Sequence, residues 1–345
     1  MMIKIMCQNA LLMFVLVVLL PTIVIADYTD TVVLKNGNRI TGNVESMAQG
    51  QLLFDTDAMG TVTIKLDKIA EILSSTPMEI ETVNGDQLYG TLEKPLLPQQ
   101  IKISSDTSTE SVPIDDLVRI IPIGESFWKR LQGSMSAGFS YTKASEVAQF
   151  SFSGNLLYQA RHNQLALTYT NIVTNQDSGT SQQIYGRLGY RYQPGEHWYG
   201  LGFLSFQRNQ ELGVDGRGVL GAGGGRTLFQ SNRGALSING GLDLNLENSG
   251  SSQNTSVEAF TAIEYSLYKY ADLQSNLVIS AIAFPSITES GRFRWQIDTS
   301  WRQELFNNFF WNWTFYASGD NDPPENAASN SDYGVITSLG WTFGR

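Results

Sequence analysis

The chain has 345 residues, 42% of them hydrophobic, a formal net charge of −10, a pI near 4.8 and a mean hydropathy of −0.14. That is too polar for a bundle of membrane helices, and beyond the N-terminal stretch no run of about 18 apolar residues occurs. The acidic balance excludes nucleic acid as a partner, since phosphate binding needs clustered Lys and Arg, and a single cysteine, Cys7, excludes a disulfide framework.

Residues 1–26 read as a signal peptide. Lys4 supplies the positive end, Ala10 to Leu20 the apolar segment, and Val24-Ile25-Ala26 a small-residue cleavage site before Asp27. Cys7 lies inside this segment without a lipobox, so the exported chain is expected to carry no thiol.

Two β units follow, at 27–74 and 75–124. Thr31 to Ile72 aligns with Glu79 to Ile120 without gaps, pairing Asn36-Gly37 with Asn84-Gly85, Gly42 with Gly90, Leu53 with Ile101, Ile64 with Val112, Leu66 with Ile114, Asp67 with Asp115 and Ile72 with Ile120. Each unit reads as a strand, an Asn-Gly hairpin turn and further short strands. One copy alone is marginal in size, so two packed copies are expected to make one small domain. Leu34-Lys35-Asn36-Gly37 followed by Gly42 resembles the first motif of Sm-like and SH3-like small barrels.

After a linker at 125–130, residues 131–345 alternate polar and apolar with period two, the pattern of strands that face lipid on one side and a wet interior on the other. In Gly291 to Arg302, Phe293, Trp295, Ile297 and Trp301 share one face while Arg292, Arg294, Gln296, Asp298 and Arg302 share the other. About twelve such strands are expected, centred near Ala137, Leu156, Leu167, Leu188, Phe203, Gly221, Leu242, Ile263, Ile279, Ile297, Trp313 and Leu339. Short turns at 161–163, 194–197, 231–234, 269–272 and 306–308 intervene between longer connections at 175–181, 208–216, 247–255, 284–291 and 318–332. This rhythm predicts an all-β, antiparallel outer-membrane barrel with short turns and both ends in the periplasm. Tyr158, Tyr190, Tyr192, Trp198, Tyr199, Tyr268, Tyr270, Trp301 and Trp311 beside the short turns are expected to form an aromatic girdle. The glycine-rich stretch Gly216 to Arg226 is expected to leave room for bulky neighbours.

Signal, duplicated Asn-Gly units and barrel together resemble the family of salt-induced outer-membrane proteins, a domain of unknown function. The resemblance implies an outer-membrane barrel and supplies no catalytic residues. Trp341 and Phe343 resemble the terminal aromatic signal read by the barrel-assembly machinery, with Gly344 and Arg345 following.

Catalysis is not expected, and neither is a cofactor. A nucleophilic serine needs a base within hydrogen-bond reach, and both histidines, His162 and His197, fall in predicted turns; no zinc spacing occurs. Asp320, Asp322 and Glu325 form an oxygen-rich segment read as a solvated external loop rather than a calcium site. The candidate site is the lumen, with Arg187, Arg191, Arg294 and Arg302 set among Asp243, Glu258, Glu264 and Asp298. A barrel of about twelve strands has a narrow bore, so the expectation is a narrow pore for small ions or solutes. The alternative is a non-conducting anchor or envelope-integrity protein acting through its repeats or external loops. Expected partners are outer-membrane lipid, the assembly machinery, and a periplasmic protein or the cell wall at the repeats.

Overall fold

The computed structural model describes residues 29–343 except 106–107, 124–126, 143–146, 161, 177–178, 196, 211, 251, 270–273, 307, 325–326 and 328. The signal-peptide reading, Cys7, Tyr270, Glu325 and Gly344-Arg345 therefore lie outside the described residues.

The N-terminal unit contains β1 (Asp30–Leu34), β2 (Arg39–Ala48), β3 (Gln51–Thr56), β4 (Gly60–Lys65) and a 3-10 turn at Leu66–Lys68. The chain continues through β5 (Ile69–Thr82), β6 (Gln87–Glu93), β7 (Gln100–Ser104), β8 (Thr109–Pro113), a second 3-10 turn at Ile114–Asp116 and β9 (Leu117–Pro122). Both Asn-Gly turns form: Gly37 and Gly85 sit at φ 87 and 86, and their amides bond back to the Leu34 and Thr82 carbonyls. Only glycine occupies that region without strain.

β5 belongs to both units. Its first half pairs with β1, placing Val32 opposite Ile72, and its second half pairs with β9, placing Ile80 opposite Ile120 at the same offset of 48. The boundary at 74/75 thus falls inside one strand, and the sheet runs β4-β3-β2-β1-β5-β6-β7-β8 with β9 laid on β5 and β2. A single core fills it, in which Val32, Ile69 and Ile72 meet their counterparts Ile80, Leu117 and Ile120. Sharing a core answers the problem that one unit alone would be too small. Beneath it Asp30 accepts the Val44 amide at 2.8 Å, and its burial raises the carboxyl above its ordinary range, against the opposing pull of the Ser74 hydroxyl and the Val44 amide.

The gapless alignment needs one correction. Leu52, not Leu53, occupies the place of Ile101, because Leu52 pairs with Ile64 as Ile101 pairs with Val112. One residue is inserted between β6 and β7, where Lys94 to Gln99 replaces the tight Gln49-Gly50 turn of the first unit. Because the offset returns to 48 by Val112, the first-to-last motifs still align and hide the insertion.

A short 3-10 turn, Phe127–Arg130, leads into a closed antiparallel barrel of twelve strands. They are β10 (Leu131–Thr142), β11 (Val147–Gln159), β12 (Asn163–Gln176), β13 (Gly179–Tyr192), β14 (Trp198–Asn209), β15 (Val214–Ser231), β16 (Gly234–Ser249), β17 (Ser252–Lys269), β18 (Ser275–Pro285), β19 (Phe293–Phe306), β20 (Phe309–Asp320) and β21 (Ser331–Phe343). Pairing of Ser134 with Thr342 joins β10 to β21 and removes every sheet edge. All twelve predicted centres fall in their strands, one in each. Outward residues such as Leu165, Leu167, Tyr190, Trp198, Leu242 and Trp301 are exposed on an apolar exterior, the surface a membrane barrel turns to lipid.

The distal connections differ from expectation. Strands run on where loops were predicted at 175–181 and 247–255: Gln176 pairs with Gly179, and Ser249 with Ser252. Side chains there are polar because the ribbon has risen past the apolar belt, and polarity alone does not separate such a ribbon from a loop. The longest distal connections are 286–292 and 321–330. At the other end, where the barrel begins and finishes, Tyr199 and Tyr268 leave the predicted girdle. Tyr199 is buried against Arg191 inside, and Tyr268 lines a cavity beneath the barrel.

Candidate functional site

Pleating sends every second residue inward, and all eight candidate lumen residues occupy inward positions. They divide between two different walls.

Three arginines repeat one device. The Arg187 guanidinium lies 3.9 Å from the Phe203 ring centroid, Arg191 3.5 Å from Tyr199, and Arg302 3.9 Å from Phe310. Each ring in turn lies over a glycine of the next strand, Gly221, Gly225 and Gly340, where a Cβ would overlap it. Register sets this up, since Phe203 faces Gly221, Tyr199 faces Gly225, and Phe310 faces Gly340. The glycines of β15 thus act as seats for rings, and the rings hold cations flat against the wall.

The wall formed by β15 to β20 carries a buried ion-pair cluster near the distal end. Arg294 grips Glu258 through two guanidinium nitrogens, Nε at 3.0 Å from Oε1 and Nη2 on Oε2, and Glu258 has no exposed surface. Arg217 donates to Glu247, and Arg292 bridges Glu247 at 3.1 Å and Asp320 at 2.7 Å. Arg217 also lies 3.7 Å from Asp320, so the network reaches across the bore from β15 to β20. Behind it Phe203 packs edge-on to Phe260 with Phe284 beside them. Asp243 faces Glu258 across the ladder, and neither of its carboxylate oxygens has a hydrogen-bond partner among the described residues.

Arg217, Glu247, Arg292 and Asp320 were missed as a cluster by the sequence reading. Asp320 corrects that reading outright, because it ends β20 as a buried ion-pair partner instead of lying in a solvated loop. Glu247 had been assigned to a loop for the same reason of polarity. Their signal was available in parity alone, because Arg292 shares the inward face with Arg294, and Glu247 with Asp243.

Strands β10 to β14 and β21, with the stretches of β19 and β20 nearer the short turns, border a cavity of about 290 Å³. Its polar side chains are mainly hydroxyls and amides, joined in short relays. Ser300 donates to Asn312 at 2.9 Å, and Asn312 to Thr314 at 2.8 Å. Arg302 donates to Ser134 at 3.1 Å near one end. At the other end, Asp332 accepts from Gln183 and Asn209, each at 3.0 Å, across the bore. Asp298 borders this cavity and accepts from Gln296 at 2.6 Å, whereas Glu264 lies on β17 away from it. Trp341 points outward, and Phe343 covers Gly133 on the barrel exterior.

The N-terminal domain meets the barrel where the turns are short. Gln230 donates to Glu81 at 2.9 Å and to the Thr82 carbonyl at 3.1 Å, and Arg119 pairs with Glu81 at 2.9 Å. Arg119 and Arg191 line a second cavity, of about 250 Å³, between domain and barrel. His162 borders it with Nδ1 3.2 Å from the Gln193 carbonyl, and His197 begins at the turn before β14. Among the described residues no group of three His, Cys, Asp or Glu is arranged to hold a metal ion.

Residues 132–343 match a family profile described as a protein of unknown function, DUF481. No curated protein matches. Among solved structures, the translocator domain of autotransporter NalP from Neisseria meningitidis is similar at 13% identity and a TM-score of 0.34, over 61% of this chain and 87% of that one. The COG4313 outer membrane channel from Pseudomonas putida F1 aligns at 11% identity and 0.33, over 62% and 95%. A Pseudomonas aeruginosa FadL homologue aligns at 8% and 0.27, over 78% and 87%.

Proposed function

We propose, for a chain that belongs to the DUF481 family, that it is an outer-membrane barrel whose narrow lumen admits small ions or solutes and whose β-repeat domain stands in the periplasm. The observation that carries this reading is the cavity between Arg302–Ser134 at one end and Asp332 at the other, beside the ion pairs that cluster at the distal ends of β15 to β20. Hydroxyl and amide groups in the lining let water stand in the bore, and a bore this narrow limits passage to small species. Membrane insertion follows from the closed ladder and the apolar exterior.

Short turns at the end that meets the repeat domain support a periplasmic location for both. Arrangement of each repeat as four strands, a 3-10 turn and a closing strand supports the likeness to Sm-like and SH3-like barrels. No resemblance assigns salt induction to a residue.

A second reading is favoured by the bonds from Gln230 to Glu81 and Thr82. In it, the barrel anchors the repeats, and the repeats partly cover its periplasmic mouth. Single-channel recording from the full chain and from a form lacking residues 29–122, each first shown to be folded by heat-modifiable migration, separates the two. The pore reading expects openings in both, larger in the shortened form. A folded barrel silent in both forms sinks the pore and leaves the anchor.

A further inference from the structure

We infer that the cavity along β10–β14 and β19–β21 is a binding site for a small, neutral, polyhydroxylated solute of about monosaccharide size, an assignment that deepens the pore reading above and rests on it for access. Three features converge. The volume of about 290 Å³ sits at the lower end of ligand pockets, which run from roughly 300 to 1,000 Å³. It suits one small ring and not a chain of them.

The second feature is the chemistry of the lining. Ser300, Asn312 and Thr314 form a relay in which Ser300 donates to Asn312 and Asn312 donates to Thr314. A hydroxyl carries one donor and two acceptor positions, so one bond each leaves Ser300 and Thr314 with capacity facing the cavity. A polyol presents the same mixed character on successive carbons. Asp298, on the same wall, offers a carboxylate that accepts from adjacent hydroxyls.

Third, rings stand among these polar groups. Tyr316 borders the cavity and is seated on Gly334, where a Cβ would overlap its ring, and Tyr185 and Phe310 also border it. A sugar ring has an apolar C–H face as well as a hydroxyl rim, and flat rings beside hydroxyls and amides match both. Charge favours a neutral solute, because two carboxylates, Asp298 and Asp332, and two guanidinium groups, Arg208 and Arg302, border the space and balance, with Arg302 already held on the Phe310 face and the Ser134 hydroxyl.

Equilibrium dialysis of the folded full-length protein against D-glucose, and against gluconate as an anion of similar size, tests the assignment. Expected are saturable glucose binding and gluconate binding weaker by roughly tenfold or more. Asn312→Ala should weaken glucose binding by roughly threefold to tenfold, the worth of one hydrogen bond, with heat-modifiable migration unchanged. Ser300→Ala gives an independent variant of the same relay should Asn312→Ala fail to fold. Absence of saturable glucose binding, or equal binding of gluconate, overturns the assignment. Salt conductance, recorded on the same preparation, keeps the two readings apart: a conducting barrel that binds no glucose loses the site and keeps the pore, and a silent barrel that binds glucose does the reverse.

Discussion

Two regions of the lumen use their polar residues oppositely. On the β15–β20 side Arg217, Arg292 and Arg294 are locked to Glu247, Asp320 and Glu258 with almost no exposed surface. Nearer the short-turn ends of β19 and β20, Ser300, Asn312 and Thr314, with Ser134 of β10, border open space. Charge in the distal cluster is therefore structural, since ions out of water are tolerated only when paired, whereas the path proposed for solute is bordered mainly by hydroxyls and amides.

Cutting one ion pair should give the largest effect. Arg294→Met leaves Glu258 charged, fully buried and without its bidentate partner, and removing one member of a buried pair typically costs about 3–5 kcal/mol. Urea titration of the barrel, read by its heat-modifiable migration, should show that loss. The double variant Arg294→Met with Glu258→Leu should recover most of it, because the uncompensated charge is gone. A single variant as stable as the parent would mean that the charged wall is wet, and the contrast between the walls would fail.

The glycine seats sharpen the comparison at lower cost. Gly225→Val puts a branched side chain where the Tyr199 ring lies and lifts Arg191 from its face. Overpacking of this kind costs about 1–3 kcal/mol. Tyr199 fluorescence cannot be isolated in this aromatic chain, so the readout is again the urea midpoint, with Gly218→Val as the contrast because a Cβ at Gly218 meets nothing within contact range. Equal losses at the two positions would show that the ring does not account for the effect, since strand propensity by itself favours valine over glycine.

Much of this was legible in the chain and some was not, for physical reasons. Period-two alternation fixes strand identity and inward parity together, so Arg294, Asp298 and Arg302 could be placed in the lumen from Gly291 to Arg302 alone. Glu247 and Asp320 were missed because the ladder continues above the lipid belt, where inward and outward residues are both polar and the alternation disappears. The ring seats were half visible. Gly216 to Arg226 announces missing volume, but only the register of Phe203 opposite Gly221 says which ring fills it. Pairing across the bore, as between Asp332 and Gln183, leaves no local trace, since residues 149 apart meet only when the barrel closes.

The smallest effect belongs to the neutral wall, and it is the one that separates stability from passage. Ser153 donates to Thr170 at 3.4 Å beside the open cavity, so in Ser153→Ala water can take the place of the lost hydroxyl. A hydrogen bond so replaced contributes at most about 0.5–1 kcal/mol, and the urea midpoint should scarcely move. Passage should respond more than stability does, because deleting a hydroxyl removes one polar contact from the path of the solute and slightly widens it. Liposome swelling with a small polyol measures this directly. A changed rate at constant stability assigns the wall to transit. A stability loss rivalling that of Arg294→Met would mean instead that the hydroxyl relays are as structural as the ion pairs, and the lumen would then have no wall free for solute.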